Sequence, residues 1–223
     1  MFGMDNIEHD IECKKSIGFA VDECCFHNCL NAYNINNIMC GIYKEWDESK
    51  FMSYLSQFKI KPQKKISDLS KGMKSKLMLA IAMSHNPKFL ILDEITSGLD
   101  PVIRDDILLI LKDYVSKTNS SVLFSTHVTS DLDRIADEIA FLHEGNLIFY
   151  ETTQALKEQY KLVQCSAEHY ENLPKANIKK VLVRAGMYSV LVSGDINASL
   201  VNSVGVPSID DIMLLYIKGE NAL

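Results

Sequence analysis

Residues 89–100 read FLILDEITSGLD, and the reading of this stretch decides the fold. Asn86 and Pro87 break the chain just before it, and four apolar residues follow: Phe89, Leu90, Ile91 and Leu92. A short apolar run after a breaker predicts a strand buried on both faces, as in a parallel sheet with helices on each side. Asp93 and Glu94 end the run. Open α/β sheets bind ligands in the crevice beyond the carboxyl ends of their strands. Two carboxylates in that place are costly unless they face a cation or a reacting water. The pattern is short, and an ordinary strand that ends in acids would look the same.

The neighbouring segments separate these readings. Upstream, Leu69-Ser70-Lys71-Gly72-Met73 opens a helix whose apolar residues include Leu77 and Ile81. A Ser and a Gly at a helix N-terminus form a natural anion site. Downstream, Ser97-Gly98-Leu99-Asp100 reads as a tight turn. Pro101 suits the first position of the next helix, Asp100 its cap, and Ile103, Ile107, Ile110 and Tyr114 its apolar face. A strand-like run, Val122-Leu123-Phe124, then ends at Ser125-Thr126-His127, and Thr129-Ser130 begins another helix. Upstream again, Ile17 to Val21 reads as a strand that exits at Asp22, with Glu23 the next acid should the register slip by one.

Composition sets limits. A chain of 223 residues holds one large α/β domain plus a small appendage. A net charge of −6 gives no sign of a basic nucleic-acid face. The longest wholly apolar run, Leu77 to Met83, is far short of the ~20 residues a membrane helix needs, so a membrane role is expected to pass through a partner. The opening residues do not read as a charged-then-apolar leader, and a cytoplasmic location is expected. Cys24, Cys25, His27 and Cys29 crowd together, but their spacing is not a paired CxxC frame, and reduced thiols are the expectation.

Other segments supply the frame. Asp47 can cap a helix with Phe51, Leu55 and Phe58 on one face, and Trp46 reads as packing. Glu138 to His143 and Leu147 to Tyr150 flank Glu144-Gly145-Asn146, a hairpin signal, and a helix follows over Gln154 to Tyr160. Beyond it, Val181 to Arg184 and Tyr188 to Ser193 are β-like runs around Ala185-Gly186, and Ser208 caps a final helix carrying Ile212, Leu215 and Tyr216.

Taken together, LSKGM at 69–73, the Asp93-Glu94 pair, SGLD at 97–100 and His127 resemble the signature motif, Walker B, D-loop and H-loop of an ABC-type ATPase. The resemblance spans Asp22 to about Glu151. LSKGMKSKL at 69–77 and the ending PSIDDIMLLYIKGE at 207–220 are similar to ATP-binding subunits of bacterial ABC-2 type exporters, the group with the bacitracin and lantibiotic ATPases. The resemblance implies an α/β fold: an incomplete P-loop NTPase core over 1–160 with a helical subdomain at about 24–85, and a small C-terminal α+β appendage over 161–223. Implied cofactors are ATP and Mg²⁺. Asp93 would position Mg²⁺, Glu94 would polarise the attacking water, and His127 would hydrogen-bond the γ-phosphate and hold Glu94. Ser70, Gly72 and Asp100 would contact an ATP held by a second subunit. Asp22 falls in the Q-loop, where the family has a Gln; a carboxylate can still coordinate Mg²⁺ but cannot donate an amide hydrogen bond.

The departures are specific. Lys71 and Met73 replace the common Gly and Gln of the signature, where Lys71 would add positive charge near phosphate, and Ile95 replaces a Pro. No GxxxxGK[S/T] occurs, and Lys71-Gly72 and Lys218-Gly219 run in the reverse order. FGMDN at 2–6 resembles a phrase that in the family follows the P-loop and its helix. Met1 to Asn6 is therefore expected to be the tail of a strand followed by a turn, and about 45 to 50 residues with the P-loop are expected upstream. Implied partners are an ABC-2 type membrane permease, docked through the helical subdomain, and a second ATPase subunit in a homo- or heterodimer, with no nucleic acid. The protein is expected on the inner face of the membrane through that permease. Alone, lacking the P-loop, it is expected to bind no ATP tightly and to be inactive. A degenerate subunit that acts as a regulatory partner without turnover is the alternative.

Overall fold

A computed structural model describes residues 1–194 and 203–220. The chain forms two compact units, Met1–His127 and Val128–Leu223.

The first unit is built on three parallel strands in the order β1 (Ile17–Val21), β2 (Phe89–Asp93) and β3 (Ser121–Ser125). Their register aligns the carboxyl ends: Val21 pairs with Asp93, and Asp93 with Ser125. Consecutive residues of a strand alternate between faces, so the register also sorts the side chains. Gly18 and Ala20 of β1 and Leu90 and Leu92 of β2 are buried on one face. The other face carries the registered row Phe19, Ile91 and Leu123, in which Phe19 is 54% and Leu123 57% exposed. The expectation of burial on both faces is thus corrected: among the described residues β2 is covered on one side. A run of apolar residues satisfies one-sided and two-sided burial alike, and only the neighbouring elements decide.

Four helices precede or flank the sheet: α1 (Asp10–Lys15), α2 (Ala32–Ile42), α3 (Glu48–Gln57) and α4 (Lys71–Met83). Met1 to Asn6 forms turns, so of the expected strand tail and turn only the turn is present. Each of the longer helices starts where a short polar side chain can take an orphan amide. Asn31 caps α2 with a reciprocal bond to Asn34, Asp47 caps α3, and Ser70 caps α4. Phe51 and Leu55 are fully buried on α3, and Trp46 packs on Phe51 while its indole N–H donates to Asn36. α4 is apolar nearly all round, with Leu77 through Met83 buried, and it packs on β1. The approach is close because Gly18 has no side chain: a Cβ there would lie 2.3 Å from the Ala82 carbonyl oxygen. α5 (Pro101–Lys117) follows β2, and its buried face is Ile107, Leu108, Leu111 and Tyr114.

The second unit opens with α6 (Thr129–Ile135) and the hairpin β4 (Glu138–His143) and β5 (Asn146–Thr152). Glu144 and Gly145 turn it with φ of 48° and 76°, the two positive angles that a two-residue hairpin turn needs. α7 (Thr153–Gln159) leads into an antiparallel sheet of order β7 (Ile178–Arg184), β8 (Met187–Ser193), β6 (Tyr160–Cys165) and β9 (Ser203–Gly205). A short α8 (Ala167–Glu171) follows β6, and the chain closes on α9 (Ile209–Lys218), capped by Ser208 and Asp211 in a reciprocal box. One core joins Ile139, Leu156, Tyr160 and Leu191 to Ile209, Ile212 and Leu215 of α9, so the hairpin, α7 and the later sheet share one apolar interior.

Among the described residues, no helix is long and apolar enough to cross a membrane.

Candidate functional site

The aligned strand ends of the first unit bring four residues into one hydrogen-bonded group. Ser125, the last residue of β3, donates its Oγ–H to Asp93 Oδ1 at 2.5 Å. The Glu94 amide points at the same residue, with both Ser125 O and Ser125 Oγ at 3.2 Å. His127 Nδ1 lies 2.6 Å from Glu94 Oε2. Glu94 leaves the strand with φ of 53°, a left-handed conformation that a non-glycine residue takes only when its surroundings hold it. The two Ser125 acceptors and the His127 contact supply that hold. As a result the two consecutive carboxylates do different things: Asp93 is tied to β3 through its side chain, and Glu94 is turned out toward His127.

Ser125 was not among the residues singled out from the sequence. A Ser at a strand end is unremarkable there, and only the parallel pairing of β2 with β3 puts its hydroxyl against Asp93.

Asp22, just past β1, makes a different contact. Lys71 Nζ lies 2.8 Å from its Oδ1 and 3.2 Å from its Oδ2. Lys71 is the first residue of α4, after the Ser70 cap. The Ser70 Oγ accepts the Met73 amide at 3.3 Å, so the Ser has a structural task at the helix start. Gly72 is buried, and a Cβ there would lie 2.7 Å from Ile103 Cγ2 of α5, so this position requires glycine for packing whatever else its amide contacts. Asp100 caps α5, its Oδ1 accepting the amides of Val102 at 3.1 Å and Ile103 at 3.0 Å.

A magnesium ion is held by one or two carboxylates plus phosphate oxygens, so it does not need a full protein cage. Asp93 suits that demand, with one oxygen bound by Ser125 and a second that the Ser125 bond does not use. Asp22 is already matched by a lysine ammonium. Among the described residues, no group of three or more His, Cys, Asp or Glu forms a metal cage. In the cysteine-rich segment, burial raises the Cys24 thiol above its usual pKa, which lowers its thiolate content.

A family model described as an AAA domain, putative AbiEii toxin, Type IV TA system, matches residues 47–130, less than half of the chain. The ABC transporter ATP-binding protein YtrB of Bacillus subtilis (strain 168) is 31% identical over 159 residues, 70% of this chain and 54% of that protein. The bacitracin transport ATP-binding protein BcrA of Enterococcus faecalis is 32% identical over 152 residues, 66% of this chain and 49% of the relative. The chain therefore spans about half the length of these curated relatives. Among solved structures, the ATP-binding subunit of an ABC transporter aligns with a TM-score of 0.62 at 20% identity, covering 70% of this chain and 67% of the other.

Proposed function

Because the relatives of this chain are ABC transporter ATP-binding proteins and its fold is that of ABC ATPase subunits, we propose that it serves as the ATP-binding and ATP-hydrolysing subunit of an exporter. The observation that carries this reading is the bonded group Asp93, Glu94, Ser125 and His127 at the aligned ends of three parallel strands. In it, Asp93 would hold Mg²⁺, and Glu94 would orient and polarise the attacking water. His127 fixes the Glu94 carboxylate and hydrogen-bonds the γ-phosphate. When bound, Mg²⁺ supplies the charge that screens the β- and γ-phosphates. Ser70, Gly72 and Asp100 face the ATP of a second ATPase subunit, where the amides at the start of α4 offer an anion site.

No GxxxxGK[S/T] occurs in the 223 residues. The apolar row Phe19, Ile91 and Leu123 and the outer edge of β3, which pairs with no further strand among the described residues, are where a helix and a strand bearing the phosphate cradle would pack. They support the reading that the cradle comes from a further segment or subunit. The helical segment of residues 24–85 would dock on an ABC-2 type membrane permease and pass it the motion that follows hydrolysis, at the inner face of the membrane. Residues 161–223 would be an appendage for packing or subunit contact.

The test is to isolate the protein with its membrane subunit from the native cell, and to measure intact mass and ATP hydrolysis with and without Glu94→Gln. Removing a general base should cost at least about 100-fold in turnover. Hydrolysis unchanged by this substitution would overturn the assignment. A mass of 25.2 kDa with no turnover would instead favour a regulatory partner that completes the site of another ATPase.

A further inference from the structure

Lys71 occupies an unfavourable place. It is the first residue of the 13-residue helix α4, whose first turn contains no acidic residue. The helix macrodipole puts partial positive charge there, and a cation at that end is destabilising. Something outside the helix must offset it, and what faces Lys71 is Asp22, 49 residues earlier, with Nζ at 2.8 and 3.2 Å from the two carboxylate oxygens. The lysine also lies over the turn that follows the acidic pair. A Cβ on Gly98 would be 3.1 Å from Lys71 Nζ, and Gly98 has φ of 63°. The pair thus ties two segments, the exit of β1 and the start of α4, beside the turn after β2.

Asp22 and Lys71 are also two of the positions at which the sequence departs from the ABC pattern, where a Gln and a Gly are expected. We propose that the two departures compensate each other. The ion pair holds the first turn of α4, with Ser70 and Gly72, to the carboxyl end of β1, and it takes Asp22 out of use as a metal ligand. Asp22 and Lys71 are then positioning residues. What Ser70 and Gly72 do for a nucleotide rests on the function proposed above, but the pairing does not.

The pair is partly exposed, with side-chain exposures of 47% for Lys71 and 33% for Asp22, so a modest coupling is expected. The readout is amide hydrogen exchange at Met73 and Lys74 in the 223-residue chain, because these amides bond to Ser70 Oγ and Ser70 O and report the first turn of α4. Lys71→Met and Asp22→Asn should each speed exchange there about two- to five-fold. The swap Asp22→Lys with Lys71→Asp should return exchange to the wild-type rate or slower. The opposite sign defeats the proposal: if the pair does not act, Lys71→Met only removes a cation from the positive end of the helix, and exchange slows.

A second measurement covers the metal. Titration with Mn²⁺, followed by its electron paramagnetic resonance signal, should show tighter binding in Lys71→Met by about five-fold, reversed by adding Asp22→Asn. Equal Mn²⁺ affinity in wild type and Lys71→Met would mean that the lysine does not shield Asp22. Neither readout uses nucleotide, so their failure is separate from any failure of the ATPase assignment.

Discussion

Replacing Gly18 by alanine should drive α4 away from the sheet. The added methyl would lie 2.3 Å from the Ala82 carbonyl oxygen, 2.5 Å from Leu90 Cδ2 and 3.0 Å from Pro87 Cγ. An ordinary contact needs about 3.5 Å, so more than 1 Å must be found. Leu90 can yield only by leaving a position in which it is fully buried, and the Ala82 oxygen belongs to the backbone of α4. A gap of that order along the helix forfeits a quarter to a half of each affected contact, and overpacking of this kind costs about 1 to 3 kcal/mol. The backbone clash points to the upper half of that range. Gly41 is the control: it lies near the end of α2, and a methyl there meets nothing within 4 Å. Gly41→Ala should therefore stabilise, by up to about 1 kcal/mol, through helix propensity alone. Urea unfolding followed by circular dichroism would report both, as midpoints moving in opposite directions at constant slope. Gly18→Ala with a midpoint at or above wild type would refute the close packing of α4 on β1, and with it the placement of Ser70 and Lys71 relative to the strand ends.

Two further substitutions test the site and the core beneath it. Ser125→Ala removes the hydroxyl shared by Asp93 and the Glu94 amide, and should cost about 1 to 2 kcal/mol in the same unfolding assay; no loss, or the same loss in Ser125→Thr, would count against the bonded group. His85 is 3% exposed, stacks on Tyr43 at 4.1 Å and has its Nε2 2.9 Å from the Ile17 carbonyl, and burial holds its pKa below the usual value. The unfolded chain then binds more protons, so stability should be full above about pH 6.5 and fall as the pH drops from there toward the folded pKa. His85→Gln should flatten that part of the profile; an unchanged slope between about pH 5 and 6.5 would show that His85 is not its source.

What the sequence determined by itself is local. Ser70, Asp47, Asp100 and Ser208 each cap the helix they precede, because a capping bond spans two or three residues and needs no tertiary partner. The turns at Glu144-Gly145 and Ala185-Gly186 likewise follow from residues next to one another, with Ala185 and Gly186 at φ of 47° and 79°. The order of the motifs from Ser70 to His127 was readable, and with it the family of the relatives and the α/β class. Tertiary structure decided the rest. Whether Phe89 to Leu92 is covered on one face or two depends on which elements pack there, and Phe19 and Leu123 show one side open. The hydroxyl of Ser125 meets Asp93 only because β2 and β3 run parallel in register. Gly18 and Gly72 are needed where a helix passes within a methyl radius, which no neighbour in sequence reveals. Asp22 and Lys71 read as two separate oddities until the fold closes their separation of 49 positions and makes each the other's counter-charge.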